Sequence, residues 1–73
     1  QLLLVDDDHD FRETAAAWLR RHGHEVHTAP DGRSALDVAR RQACDVAVLD
    51  LRLPDLSGID LLSALKGLSE ELE

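Results

Sequence analysis

Several things are scarce in this chain, and each scarcity removes a class of protein. There is one cysteine, Cys44, so no internal disulfide can brace the fold. A lone free thiol suits a reducing compartment, and the expected location is the cytoplasm. Bases are outnumbered: eight Lys and Arg face fifteen Asp and Glu, for a net charge of −7 at pH 7. Nucleic acids and anionic membrane surfaces are held by basic patches, which argues against both as direct partners of this segment. No apolar run approaches the roughly 18–20 residues of a membrane span, and no signal peptide is visible. No dinucleotide or Walker glycine loop occurs. Of the four histidines, His22, His24 and His27 bracket a helix end and a strand without a matching Cys or acid cluster, and His9 is read as solvent-facing in a first helical turn. No Ser-His-Asp arrangement can be read from spacing. Phe11 and Trp18 are the only aromatics, so a core must be built from Leu, Val and Ala.

Seventy-three residues allow one domain at most, and a chain this short has little stability to spare. It opens on Gln1 directly in a strand-like run, which reads as a piece of a longer protein.

What is present alternates in type. Gln1–Val5 is a continuous apolar run of the kind buried on both faces of a parallel sheet, and it ends in Asp6, Asp7 and Asp8. Asp8 reads as a helix N-cap. Phe11, Ala15, Trp18 and Leu19 share one helix face, with Trp18 expected to cover the sheet. Arg20, Arg21 and His22 suit the last turn, and Gly23 ends it. His24–Ala29 predicts a second strand and Pro30-Asp31-Gly32 a turn. Ser34–Ala43 predicts a helix with Ala35, Leu36 and Ala39 inward. Cys44 reads as packing rather than redox chemistry. Asp45–Leu51 predicts a third buried strand, again meeting an acid, Asp50. A loop over Leu53–Gly58 leads to a third helix, whose face is read as Ile59, Leu62, Leu65 and Leu68; the tail over 69–73 is polar and acidic. Strands alternating with helices imply a parallel sheet covered on both faces.

In open parallel sheets ligands bind at the carboxyl ends of strands, beside the point where strand order reverses. If the first and third strands are neighbours, Asp6, Asp7 and Asp50 converge there. Clustered carboxylates resist ionising together, and a hard cation such as Mg2+ relieves them. A metal-clamped carboxylate facing a phosphoryl group is a nucleophile. Alone, Asp6 and Asp7 fit capping or solvation as readily as ligation, and Asp50 alone fits a solvated loop acid. Asp8 fits a cap and nothing more.

The run Leu3-Leu4-Val5-Asp6-Asp7-Asp8 resembles the opening strand and acid pair of bacterial response-regulator receiver domains. Val46-Ala47-Val48-Leu49-Asp50-Leu51-Arg52-Leu53-Pro54-Asp55-Leu56-Ser57-Gly58 resembles their phosphorylation strand and loop, and the stretch from Gly23 through Leu36 has the family's rhythm. The likeness runs over essentially the whole chain. It implies a flavodoxin-like, doubly wound α/β fold, present here as three strands in order 2-1-3 with three helices. It implies that Asp50 accepts phosphate from a sensor histidine kinase and controls a downstream output domain. It further implies that Asp7 binds Mg2+ directly, that Asp6 binds it mainly through water, and that the backbone carbonyl of Arg52 is a further ligand. Pro54 and Gly58 would shape the loop. The loop wording looks most like receivers of transcriptional activators that carry an ATPase domain.

Receiver domains have five strands, so residues 1–73 are expected to be a partial receiver lacking the fourth and fifth strands and their helices. The family's hydroxyl residue and lysine would fall in that missing part, and Lys66, on the third helix, is no substitute. This chain alone is then expected to be a poor phosphoacceptor and never a turnover enzyme. The cut would leave the third strand as an unprotected edge and expose parts of Ile59, Leu62 and Leu65. A homodimer or a complementing second chain is therefore expected. Two rival functions remain: an interaction module that works without phosphorylation, and a Mg2+-dependent phosphohydrolase with an aspartyl intermediate. Such hydrolases place a second acid two residues after the nucleophile, and here that position is Arg52.

Overall fold

The computed structural model describes residues 1–50, 52–68 and 72. Leu2–Val5 forms β1, the central strand, with its residues facing alternate sides. Leu3 and Val5 enter one core with Ala29, Ala35, Leu61, Leu65 and Leu72; Leu4 enters a second with Ala16 and Val26. An apolar residue at every position is what a strand covered on both faces requires. Val26–Ala29 forms β2 and Val46–Leu49 forms β3. Both run parallel to β1, in the order β2-β1-β3. The pairing is in step: Leu2 lies between Val26 and Val46, and Val5 between Ala29 and Leu49.

His9–Arg21 is α1. Asp8 caps it, its Oδ1 accepting from the Phe11 amide at 3.0 Å. Its end is a Schellman closure: the Gly23 amide donates to the Arg20 carbonyl and the His24 amide to the Leu19 carbonyl. Gly23 takes φ +90°, a conformation that side chains resist. Gly32–Arg41 is α2, capped by Asp31, and Gly58–Leu68 is α3, where the Ser57 hydroxyl accepts from the Asp60 amide. α1 packs on one face of the sheet, and α2 and α3 on the other.

Four expectations need correction. Trp18 and Phe11 do not cover the sheet; they are 52% and 56% exposed, and Trp18 stacks on His22 with ring centroids 4.0 Å apart. The inward stripe is Ala15, Ala16 and Leu19, because a helix seated over β1 and β2 at close range has room for alanine rather than for rings. The inward face of α3 is Gly58, Leu61 and Leu65, not Ile59, Leu62 and Leu68, all three of which are exposed. A strict period of three drifts around a helix of 3.6 residues per turn, whereas steps of three and four hold one side. β3 is not buried throughout: Ala47 and Leu49 pack on the core, while Val46 and Val48 are exposed. α1 lies over β1 and β2 and leaves that part of β3 uncovered. Finally, α2 begins two residues earlier than expected, since Asp31 is its cap rather than part of a free turn. Leu51 and the tail residues 69–71 and 73 lie outside the described residues.

Candidate functional site

The two strands that flank the switch in strand order both end in acid. The Asp6 amide continues the β1–β2 ladder by donating to the Ala29 carbonyl at 3.2 Å, and the Asp50 amide continues the β1–β3 ladder by donating to the Val5 carbonyl at 3.0 Å. Both residues are therefore fixed by sheet hydrogen bonds at the last rung. Asp6, Asp7 and Asp50 each bring a carboxylate oxygen within 4.8 Å of the others. Asp6 and Asp50 are half-buried and Asp7 is exposed. This is the convergence expected from the strand ends.

Asp6 and Asp50 are each held by a local bond. Asp6 Oδ1 accepts from the Asp8 amide at 2.9 Å, and Asp50 Oδ1 accepts from the Arg52 amide at 3.1 Å. Asp8 stays with the helix cap and outside the cluster. Arg52 lies at the site through its backbone; it also bridges to Ser57, closing the loop between them. Among the described residues, none of the three acids forms an ion pair with a Lys, Arg or His. Oxygen donors alone, gathered at an open strand edge with no protein cation to neutralise them, fit a hard divalent ion that keeps part of its water shell.

Two residues that bond to the elements around the site were not legible as such. The Arg12 guanidinium reaches back to donate to the Asp6 carbonyl at 2.8 Å and fixes the backbone between Asp6 and Asp7. A positive side chain in the first half of a helix works against the dipole, and that misfit was the available signal. Asp55 accepts from the Gly32 and Arg33 amides at 2.8 and 2.9 Å. Those two backbone bonds hold its carboxyl below the usual 3.8. The remaining sequence candidates fall away from the acids. Cys44 packs beside the α2–α3 core, and burial pushes its thiol up, so it stays protonated. Lys66 lies on α3 and donates to the Leu72 carbonyl. His22 and His27 bond to Trp18 and Gln1, not to each other. No described helix is long and apolar enough to cross a membrane.

The response regulator receiver domain profile matches residues 2–73. The chain is 48% identical over 65 residues to the probable transcriptional regulatory protein TcrX of Mycobacterium tuberculosis, covering 89% of this chain and 28% of that protein. Its fold superposes on chemotaxis protein CheY4 of Vibrio cholerae with TM-score 0.90 at 34% identity, over 96% of this chain and 58% of the other. It superposes on response regulator TrrA of Thermotoga maritima, solved in complex with Mg2+ and BeF, with TM-score 0.91 at 28% identity, over 99% and 63%. The three parallel strands in order 2-1-3 and the three helices share the flavodoxin-like fold of these receiver structures. The chain belongs to the response regulator receiver domain family, a regulatory family of two-component signalling. It spans less than a third of the length of TcrX and about three fifths of the two solved chains.

Proposed function

We propose that this chain is the part of a receiver domain that carries the phosphoacceptor, Asp50, together with the Mg2+ ligands Asp6, Asp7, Asp50 and the carbonyl of Arg52. The convergence of three carboxylates within 4.8 Å at the ends of β1 and β3 carries the reading. Mg2+ held by these residues would offset the negative charge that builds up during phosphoryl transfer. The chain's own residues would contribute positioning. Arg52 N–H holds one oxygen of Asp50 and leaves the other to form the new O–P bond. The P–N bond of a phosphohistidine on a sensor kinase, or the P–O bond of an acyl phosphate, breaks on the opposite side, and its electron pair leaves with the donor. Arg12 steadies the backbone beneath Asp6 and Asp7. The complete receiver domain would take up one phosphoryl group, so the role is that of a switch for an output domain, in keeping with TcrX, a probable transcriptional regulator. TrrA's complex with Mg2+ and BeF supports the metal.

Magnesium titration tests the metal site. Affinity on the order of millimolar is expected, since few protein ligands are available and water completes the shell. Carboxylate NMR signals of Asp7 and Asp50 should shift together and saturate, and Asp7→Asn should weaken binding about tenfold. Signals of both residues that stay fixed at high magnesium would rule the site out.

We propose further that residues 1–73 are a partial receiver and that the isolated 73-residue chain self-associates or pairs with a complementing second chain. Among the described residues the outer side of β3 pairs with no strand, and Val46 and Val48 are 37% and 47% exposed. An apolar edge without charge, proline or bulge is a template for pairing. Light scattering at micromolar concentration should give a mass of at least two chains. A monomer with a cooperative thermal transition would overturn this.

A further inference from the structure

The loop between Asp50 and α3 is tied to a distant helix, and the tie consists of three contacts. Asp55 accepts from the Gly32 amide at 2.8 Å and the Arg33 amide at 2.9 Å, across 23 and 22 residues. Leu56 lies so close on Gly32 that a Cβ there would meet its Cδ1 at 2.6 Å, its Cγ at 3.0 Å and its Cβ at 3.1 Å. The first amides of a helix have no partner within the helix. In α2 they are divided between two carboxylates: Asp31, the adjacent cap, takes the Ser34 amide at 2.7 Å, and Asp55 takes the other two. The first turn of α2 holds no acid of its own, so Asp55 and the cap Asp31 are the charges that meet the positive end of its dipole. At the other end of the loop, Arg52 bridges to Ser57 and its amide bonds Asp50 Oδ1. Residues 53–56 are thus enclosed by a closed bridge, with Asp55 inside it.

We propose that Asp55 is a positioning residue for the acid site, tethering the Asp50–Ser57 loop to the amino end of α2, with Gly32 as the seat that lets the loop approach. This rests on the phosphoacceptor reading above. Asp55 is not in the acid cluster and touches no ligand oxygen; its action is to fix the loop whose backbone serves Asp50. An open hollow lined by Arg33, Leu36, Arg40, Asp55 and Leu56 borders the seam.

The test uses the full-length protein and labelling of Asp50 by an acyl phosphate as magnesium is varied. Asp55→Asn and, separately, Gly32→Ala should raise the half-saturating magnesium concentration about tenfold, the scale for losing a group that orients metal ligands. The rate at saturating magnesium should be kept. Leu56→Ala added to Gly32→Ala makes room for the new methyl and should return half-saturation toward wild type. Asp31→Ala weakens the same helix through a different amide; it should lower the melting temperature without moving half-saturation. Half-saturation unchanged in Asp55→Asn overturns the tether. So does an Asp31→Ala shift as large as that of Asp55→Asn, which would mean that helix stability alone is at work. A wild-type protein that is never labelled fails at the earlier step, the phosphoacceptor reading, and removes this inference with it.

Discussion

Asp50→Asn is expected to abolish phosphoryl incorporation into the full-length protein while leaving its fold in place. The substitution keeps the size of the side chain and keeps an oxygen to accept from the Arg52 amide, now 3.1 Å from Asp50 Oδ1. It removes the negative charge and the lone-pair density that would form the O–P bond. Removing the nucleophile of a reaction that proceeds through it costs several orders of magnitude, more than about a thousandfold here. The measurement is mass spectrometry of intact protein and of its peptides after incubation with an acyl phosphate and magnesium. Wild type should gain one phosphoryl group on the peptide holding Asp50, and the Asn variant none. Thermal unfolding is followed in parallel. One of three crowded carboxylates has become neutral, so the melting temperature in magnesium-free buffer should not fall. An Asn variant labelled as fast as wild type would falsify the assignment of Asp50. Loss of labelling together with loss of folding would instead place Asp50 among the structural residues.

The parts of this molecule that were readable from sequence are those whose cause is local. Leu2–Val5 is apolar at every position because helices cover both faces of β1, and that pattern needs no knowledge of neighbours. Asp8 announces α1 because a cap acts within three residues. The acid cluster could be anticipated because strand ends and strand order place it, although β1 and β3 are far apart in the chain. What escaped was set by tertiary packing. The predicted face of α1 held Phe11 and Trp18 beside Ala15 and Leu19; the sheet takes Ala15, Ala16 and Leu19 and leaves the two rings exposed. The leucine-rich α3 offered two overlapping stripes, and only its seat against α2 and the sheet chose between them. Asp55 drew no reading beyond its place in the Leu53–Gly58 loop; its partners are more than twenty residues away and are backbone amides, which carry no sequence signature. The exposure of Val46 and Val48 depends on where α1 sits and on what else covers β3.

The choice between the two stripes of α3 has a large thermodynamic consequence. Leu61 is fully buried and is among the largest side chains so enclosed; it packs with Leu3, Val5 and Leu65. Truncation to alanine removes its transfer free energy and leaves a cavity in a close-packed region, for a loss of about 2–5 kcal/mol. At the usual stability per residue, 73 residues are worth only about 4–11 kcal/mol in total. Leu61→Ala should therefore remove much of the stability of the chain and, at the lower end of that range, unfold it outright. Leu68 lies on the stripe that regular spacing favoured, yet it is 47% exposed. Its truncation should cost within about 1 kcal/mol, since a half-solvated leucine loses little on shortening. Urea unfolding of both variants at one protein concentration, followed by circular dichroism, gives the comparison directly. The midpoint for Leu61→Ala should fall far below that for Leu68→Ala, with similar slopes. Equal midpoints, or a larger loss at Leu68, would mean that the helix presents its other side to the sheet. The loop that carries Arg52 and Asp55 enters α3 at Gly58, so a rotated helix would also displace the chain around the acceptor, and the acid cluster would have to be drawn anew.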